Sequence, residues 1–185
     1  MEKEVYRPNY AFGFPLQKDF AKGQSLGRVG VIMGSRSDWD SMYPCTDMLE
    51  EFQISFEYGV VSAHRTSERM VKYANIAADR GLQAIIACAG GSAHLPGMVS
   101  SDTRLPVYAV APLKTDEHAV GSMIAMPTGI PVGYMGGGSG VGKNAGATNA
   151  ALQVARVLAV FDEEVRERLI AYINNLRESV PHTCF

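Results

Sequence analysis

The segment Ser62-Ala-His-Arg-Thr66 sets His64 directly beside Arg65. Histidine is the side chain whose ordinary pKa lies nearest neutrality, and a guanidinium grips phosphate through parallel N–H groups. The pair therefore joins an acid/base to an anion anchor, although a surface histidine beside a salt-bridging arginine reads the same way. A second segment, Gly34-Ser-Arg-Ser-Asp38, offers two hydroxyls and a run of backbone N–H groups that can hold an anion at a helix start. Ser and Asp are equally the residues of an ordinary helix cap, with Asp38 or Ser37 as the expected N-cap. The third is Ala89-Gly-Gly-Ser-Ala-His-Leu-Pro-Gly97. Its glycines flank His94 and suit close backbone approach to a flat ligand, while a satisfied structural histidine is the plainer reading. His118 and His182 lack such a setting and are expected at the surface.

Gly137-x-x-x-x-Gly142-Lys143 matches a phosphate-binding P-loop except at its last position, where Asn144 replaces the magnesium-binding hydroxyl. Gly140-x-Gly142-x-x-Ala145 also fits a relaxed dinucleotide fingerprint, but Asp162 falls in a helical stretch rather than at a strand end. A flexible glycine loop or lid is the preferred reading of residues 136–144. Metal-binding histidine spacings and a G-x-S-x-G elbow are absent, so no metal, no cofactor and no acyl-enzyme are expected.

Alternating elements must position these segments. Val29–Met33 is a short apolar run ended by Gly34, and the helix after it carries Met42, Cys45, Met48, Leu49 and Phe52 on one side. Strand-like segments recur at 54–61, 83–88, 105–111 and 130–135, the last with Pro131 at its start. Helices are expected from Ser67 to about Arg80 with Gly81 as its stop, briefly up to about Asp102, and over 144–160, followed by a charged amphipathic tail through Glu178. Short apolar strands alternating with helices predict a parallel sheet covered on both faces, a three-layer flavodoxin-like (Rossmann-like) α/β domain with a C-terminal helical extension. In such sheets ligands bind beyond the carboxyl ends of the strands, where the loops at 34–38, 62–66 and 89–97 converge.

The chain of 185 residues suffices for one sizeable core, read here as an irregular arm (1–27), an α/β catalytic domain (28–160) and a helical tail (161–185). A net charge of -2 without a long basic run leaves no footprint for nucleic acid or an anionic membrane surface. Three cysteines, without paired spacing, point away from a disulfide framework and toward a reducing cytoplasm, with Cys45 and Cys88 as buried apolar residues. No signal-peptide core or membrane span is expected in the first 28 residues.

Taken together, Met33-Gly-Ser-Arg-Ser-Asp-Trp39, Val61-Ser-Ala-His-Arg-Thr66 and Ala89-Gly-Gly-Ser-Ala-His-Leu-Pro-Gly-Met98 closely resemble the N5-carboxyaminoimidazole ribonucleotide mutase family of purine biosynthesis, in its bacterial branch. The likeness runs from about Val29 to Ala159. It implies interconversion of N5-carboxyaminoimidazole ribonucleotide and 4-carboxyaminoimidazole ribonucleotide by loss and return of CO₂, in a cytoplasmic homo-octamer of flavodoxin-like subunits. By the same resemblance His64 is the catalytic acid/base. Ser35, Asp38 and Arg65 hold ribose and phosphate, with Ser37 beside them; Gly90, Gly91 and His94 surround the aminoimidazole and its carboxylate, and Ser62, Ala63 and Leu95 are further substrate-binding residues. The chain departs from the family at Ala109-Val-Ala-Pro112 and Gly121-Ser-Met-Ile-Ala-Met-Pro127, where Ala125 replaces the usual Gln, and its 136–144 glycine loop is longer. These departures motivate a first alternative, a diverged member that carboxylates or decarboxylates another ribonucleotide. A second alternative is a nucleotide-binding module built on the glycine loop near Lys143.

Overall fold

The computed structural model describes residues 27–112, 115, 117–137 and 145–181. Five parallel strands, β1 (Val29–Met33), β2 (Phe56–Val60), β3 (Ala84–Cys88), β4 (Val107–Ala111) and β5 (Gly133–Gly137), form one sheet in the order β2-β1-β3-β4-β5. This is the flavodoxin-like order, and it places the β1 loop between the β2 and β3 loops at the carboxyl edge. Side chains alternate across the central strand. Val29, Val31 and Met33 point to one face, which is covered by α1 (Trp39–Glu51), α5 (Ala145–Leu158) and α6 (Glu163–Glu178). Ile32 points to the other, covered by α2 (Ser67–Ala77), α3 (Leu95–Ser101) and α4 (Glu117–Ile124).

The expected α1 stripe faces the sheet, with Met42, Cys45, Leu49 and Phe52 buried and Met48 packed at its margin. The C-terminal tail joins the same core through Val165, Leu169 and the ring of Tyr172, 5.7 Å from that of Phe52. On the opposite face α2 stops at Ala77, short of the expected Arg80, while Gly81 turns the chain at φ +95°. Arg80 instead points inward to a buried ion pair with Glu57 on β2. Gly30, paired in register with Glu57, makes room for this cluster, since a Cβ there would lie 2.1 Å from the Tyr73 hydroxyl.

Two elements differ from the sequence expectation. Strand β5 spans Gly133–Gly137 rather than 130–135, because Pro131 has no N–H to give a ladder and the glycines permit the closest backbone approach. A Cβ on Gly137 would stand 2.0 Å from the Ala111 carbonyl oxygen, and one on Gly146 of α5 would stand 2.3 Å from the Gly136 oxygen. The first glycines of the glycine run thus serve strand and helix packing, and the P-loop-like residues 138–144 lie outside the described residues. Helix α4 was not expected from the sequence; Met123 is its fully buried anchor.

Candidate active site

Each strand hands its last residue to a loop that is fixed by its own hydrogen bonds. After β1, Gly34 N–H donates to Cys88 O at 3.0 Å, prolonging the ladder to β3 before the chain turns. A short 3-10 turn, Arg36–Asp38, then precedes α1. Ser35 caps that turn, while Asp38 stands at the N-cap of α1, one of the two expected positions, without a side-chain cap bond of its own there. The Ser35 hydroxyl accepts from Ser37 N–H at 3.4 Å and from the Ser37 hydroxyl at 3.0 Å. The Asp38 carboxylate turns back to accept from Ser35 N–H at 2.9 Å, completing a capping box. Burial raises the Asp38 pKa above its ordinary value, opposed by the Ser35 N–H, Ser37 and the Arg65 charge.

The loop after β2 is closed by Ser62 and Thr66. The Thr66 hydroxyl accepts from Ser62 N–H at 3.0 Å and donates to Ser62 O at 3.1 Å. Ser62 Oγ accepts from Arg65 N–H at 3.3 Å and from Arg65 Nε at 3.4 Å, and Arg65 Nη2 donates to Gly34 O at 3.3 Å. These bonds tie the guanidinium to the β1 loop, beside Ser35 and Ser37. Thr66 is a positioning residue that the sequence showed only as part of a motif.

In the loop after β3, Gly91 has φ +61° and Ala93, without glycine's freedom, has φ +51°. Such a conformation costs an L-residue roughly 1–2 kcal/mol, so the surrounding contacts, including Ala93 N–H to Gly90 O at 3.1 Å, hold a strained turn. The turn delivers His94 to the start of α3, where its side chain makes no cap bond. It reaches across the β1 loop instead. His94 Nδ1 and His64 Nε2 are 3.0 Å apart, with the rings edge to face at 5.1 Å between centroids. A hydrogen bond between two ring nitrogens requires a proton on one and a lone pair on the other, so the pair is built around a transferable proton.

All of the expected site residues line one cleft of about 770 Å³: Ser35, Ser37, Asp38, Ser62, Ala63, His64, Arg65, Gly90, Gly91, His94 and Leu95. Asp40, Ser41, Pro112 and Thr115 line it too and were not singled out in the sequence. The first two follow from the helical continuation of the capped turn, whereas Pro112 and Thr115 arrive from the loop after β4. The side chain of His118, and His182, lie outside the described residues. Among the described residues no helix is long and apolar enough to cross a membrane.

The AIR carboxylase family model matches residues 28–179. The chain belongs to the AIR carboxylase family. Within it, the chain is 45% identical over 155 residues to an N5-carboxyaminoimidazole ribonucleotide mutase of Brucella melitensis, covering 82% of this chain and 93% of that protein. It is 46% identical over 156 residues to the mutase of Mycobacterium tuberculosis, covering 83% and 86%. A crystal structure of PurE from Treponema denticola superposes with a TM-score of 0.70 at 27% identity, over 81% of this chain and 91% of that one. The AIR carboxylase match thus extends through α6, beyond the end of the resemblance read from the motifs.

Proposed function

We propose that this enzyme interconverts N5-carboxyaminoimidazole ribonucleotide and 4-carboxyaminoimidazole ribonucleotide in de novo purine biosynthesis. The observation that carries the reading is the meeting of His64 and His94 at 3.0 Å in the cleft that also holds Ser35, Ser37 and Arg65. The hydroxyls and guanidinium suit the phosphate, Asp38 suits a ribose hydroxyl, and the histidines then face the heterocycle.

An aminoimidazole is electron-rich, so its own ring supplies the electrons for the carboxyl transfer. As the N–C bond breaks and CO₂ departs, the exocyclic nitrogen takes a proton from His64. The ring carbon then attacks the retained CO₂, and His64 removes the ring-carbon proton as aromaticity returns. Protons balance over the cycle: one leaves carbon and one is placed on nitrogen. General acid–base catalysis by one well-placed group suits this step, and the cleft keeps CO₂ beside the ring. His94 holds the His64 ring in one orientation through the bond between them. Ser62, Ala63, Gly90, Gly91 and Leu95 form the wall around the ring.

The parts of this reading extend to the whole chain: an arm (1–27), a catalytic domain (28–160) and a tail (161–185), working as a cytoplasmic homo-oligomer, an octamer by resemblance. Exposed Phe161, Ile170 and Leu176 on and beside α6 support self-association. The alternative of a different ribonucleotide draws on Ala125 and the altered loop after β4. Purified protein should convert 4-carboxyaminoimidazole ribonucleotide, followed by absorbance, without ATP or added metal. Binding without conversion would refute the mutase reading and favour the altered substrate.

A further inference from the structure

The loop after β4 brings to the cleft a buried polar atom that has no hydrogen-bond partner among the described residues. Thr115 is 4% exposed, lines the cleft, and its Oγ1 has no hydrogen-bond partner among the described residues. No other cleft-lining side chain has such an atom among the described residues. A buried hydroxyl without a partner is unfavourable for folding, so its retention in a cleft wall points to a ligand that supplies the partner. The backbone fixes its place, because Thr115 N–H donates to Pro112 O at 2.9 Å.

Two glycines stand beside Thr115, one in contact distance of it and one bordering open space. A Cβ on Gly90 would meet Thr115 Oγ1 and Pro112 Cγ at 3.5 Å, whereas one on Gly91 would meet nothing within 4 Å. Thr115 and Pro112 thus stand beside Gly90 in the cleft wall, and the slot next to them is the open space at Gly91. The strand order sets this slot apart from the anion grouping. The β4 loop lies two strands from the β1 loop, about 10 Å away at the usual strand spacing of roughly 4.8 Å. Arg65 is the only Lys or Arg among the described lining residues, and it is tied to the β1 and β2 loops. Among the described lining residues, a ligand with phosphate at Arg65 and a second anionic group at the far end meets neutral donors there, Thr115 Oγ1 among them.

We infer that Thr115 Oγ1 donates a hydrogen bond to the carboxylate of the carboxyaminoimidazole ribonucleotide, in the slot beside Gly90 and Gly91. This rests on the proposed mutase reading and adds a specificity residue from the stretch where the chain departs from its family. The test compares wild type with Thr115→Val, which keeps the shape and removes the hydroxyl, and Thr115→Ser, which keeps the hydroxyl. Two ligands are titrated by calorimetry, 4-carboxyaminoimidazole ribonucleotide and aminoimidazole ribonucleotide, which lacks the carboxylate. Thr115→Val should weaken the first about tenfold or more, as expected for a hydrogen bond to a charged group, and change the second by less than about twofold. KM for the carboxylated substrate should rise with it, kcat should stay within about threefold, and Thr115→Ser should restore both. The Thr115→Val melting temperature should not fall below that of wild type, because an unpaired hydroxyl is removed. If that variant does not fold, Thr115→Ala against Thr115→Ser provides the same contrast. Equal weakening of both ligands, or of neither, would overturn the assignment. A wild type that binds but does not convert the carboxylated substrate would overturn the mutase reading itself, independently of how the variants rank.

Discussion

Replacing His64 with Asn separates proton transfer from binding. Asn keeps a hydrogen-bonding amide near the position of the ring but cannot exchange a proton near neutral pH. A positioned acid/base supplies a factor of about 10²–10⁴, and each factor of ten is about 1.36 kcal/mol. His64→Asn should therefore lower kcat by about two to four orders of magnitude, raising the barrier by roughly 2.7–5.4 kcal/mol. His64 is exposed to the cleft and bonds His94, so little buried packing is lost. The melting temperature should hardly move, and the substrate Kd should stay within about threefold. His94→Asn removes the orienting contact but leaves the proton carrier, so a smaller loss of about tenfold is expected, near the worth of one hydrogen bond. The double variant should be no slower than His64→Asn alone, because the pair acts as a unit. Initial rates of absorbance change with 4-carboxyaminoimidazole ribonucleotide, over a full substrate range, give kcat and KM for all four proteins. A His64→Asn variant retaining more than about a tenth of wild-type kcat would refute the role of His64 as acid/base.

Gly146→Ala in α5 should destabilise the protein by about 1–3 kcal/mol in urea titrations, even though Gly→Ala inside a helix ordinarily gains about 1 kcal/mol. The added Cβ would stand 2.3 Å from the Gly136 oxygen, and a stabilised variant would contradict that packing. Arg65→Ala should weaken the phosphate-bearing ligand by about one to two orders of magnitude without lowering the melting temperature; unchanged affinity would remove Arg65 from the phosphate grip. Asp38 and Asp162 should show opposite pH dependence in urea titrations against their Asn variants. The raised Asp38 pKa makes its contribution full below the ordinary carboxylate pKa and lost as pH rises through the folded value. Asp162 is lowered by Val165 N–H and Arg28, so its contribution is present above the ordinary value and lost as pH falls through the folded one. The same direction for both would contradict these environments.

Much of this architecture can be read from local patterns. Strand β1 has the expected bounds because five buried apolar or glycine positions lie directly before the Gly34 turn, and α6 ends at the expected Glu178. Elsewhere tertiary contacts decide. Apolar residues at 130–132 suggested a strand that the structure places over Gly133–Gly137, because close approach to Ala111 is set by the absence of side chains rather than by their hydrophobicity. Helix α4 has one fully buried anchor, Met123, and Gly121 at mid-length, which leaves little periodic signal. The motifs identified the residues of the site but not their contacts. His64 and His94 meet only because β1 is flanked by β2 and β3, a pairing order that no stretch of sequence states. Ala93 hides its left-handed backbone behind an ordinary side chain, and Thr115 becomes notable only once its hydroxyl is buried without a partner among the described residues.

Trp39, the single tryptophan of the chain, is the first residue of α1 and follows Asp38 directly. Its indole stacks on Tyr58 of β2 at 4.9 Å between centroids, with 30° between the ring planes. The protein thus has a built-in optical probe at the base of the capped turn. Excitation of indole alone reports one site, without the averaging that several tryptophans impose. A ligand that tightens the Ser35–Asp38 turn changes the quenching of that indole, and unfolding separates the stack outright. Ligand titration and denaturation can therefore be followed through the same emission band, in unlabelled protein and with no substrate consumed.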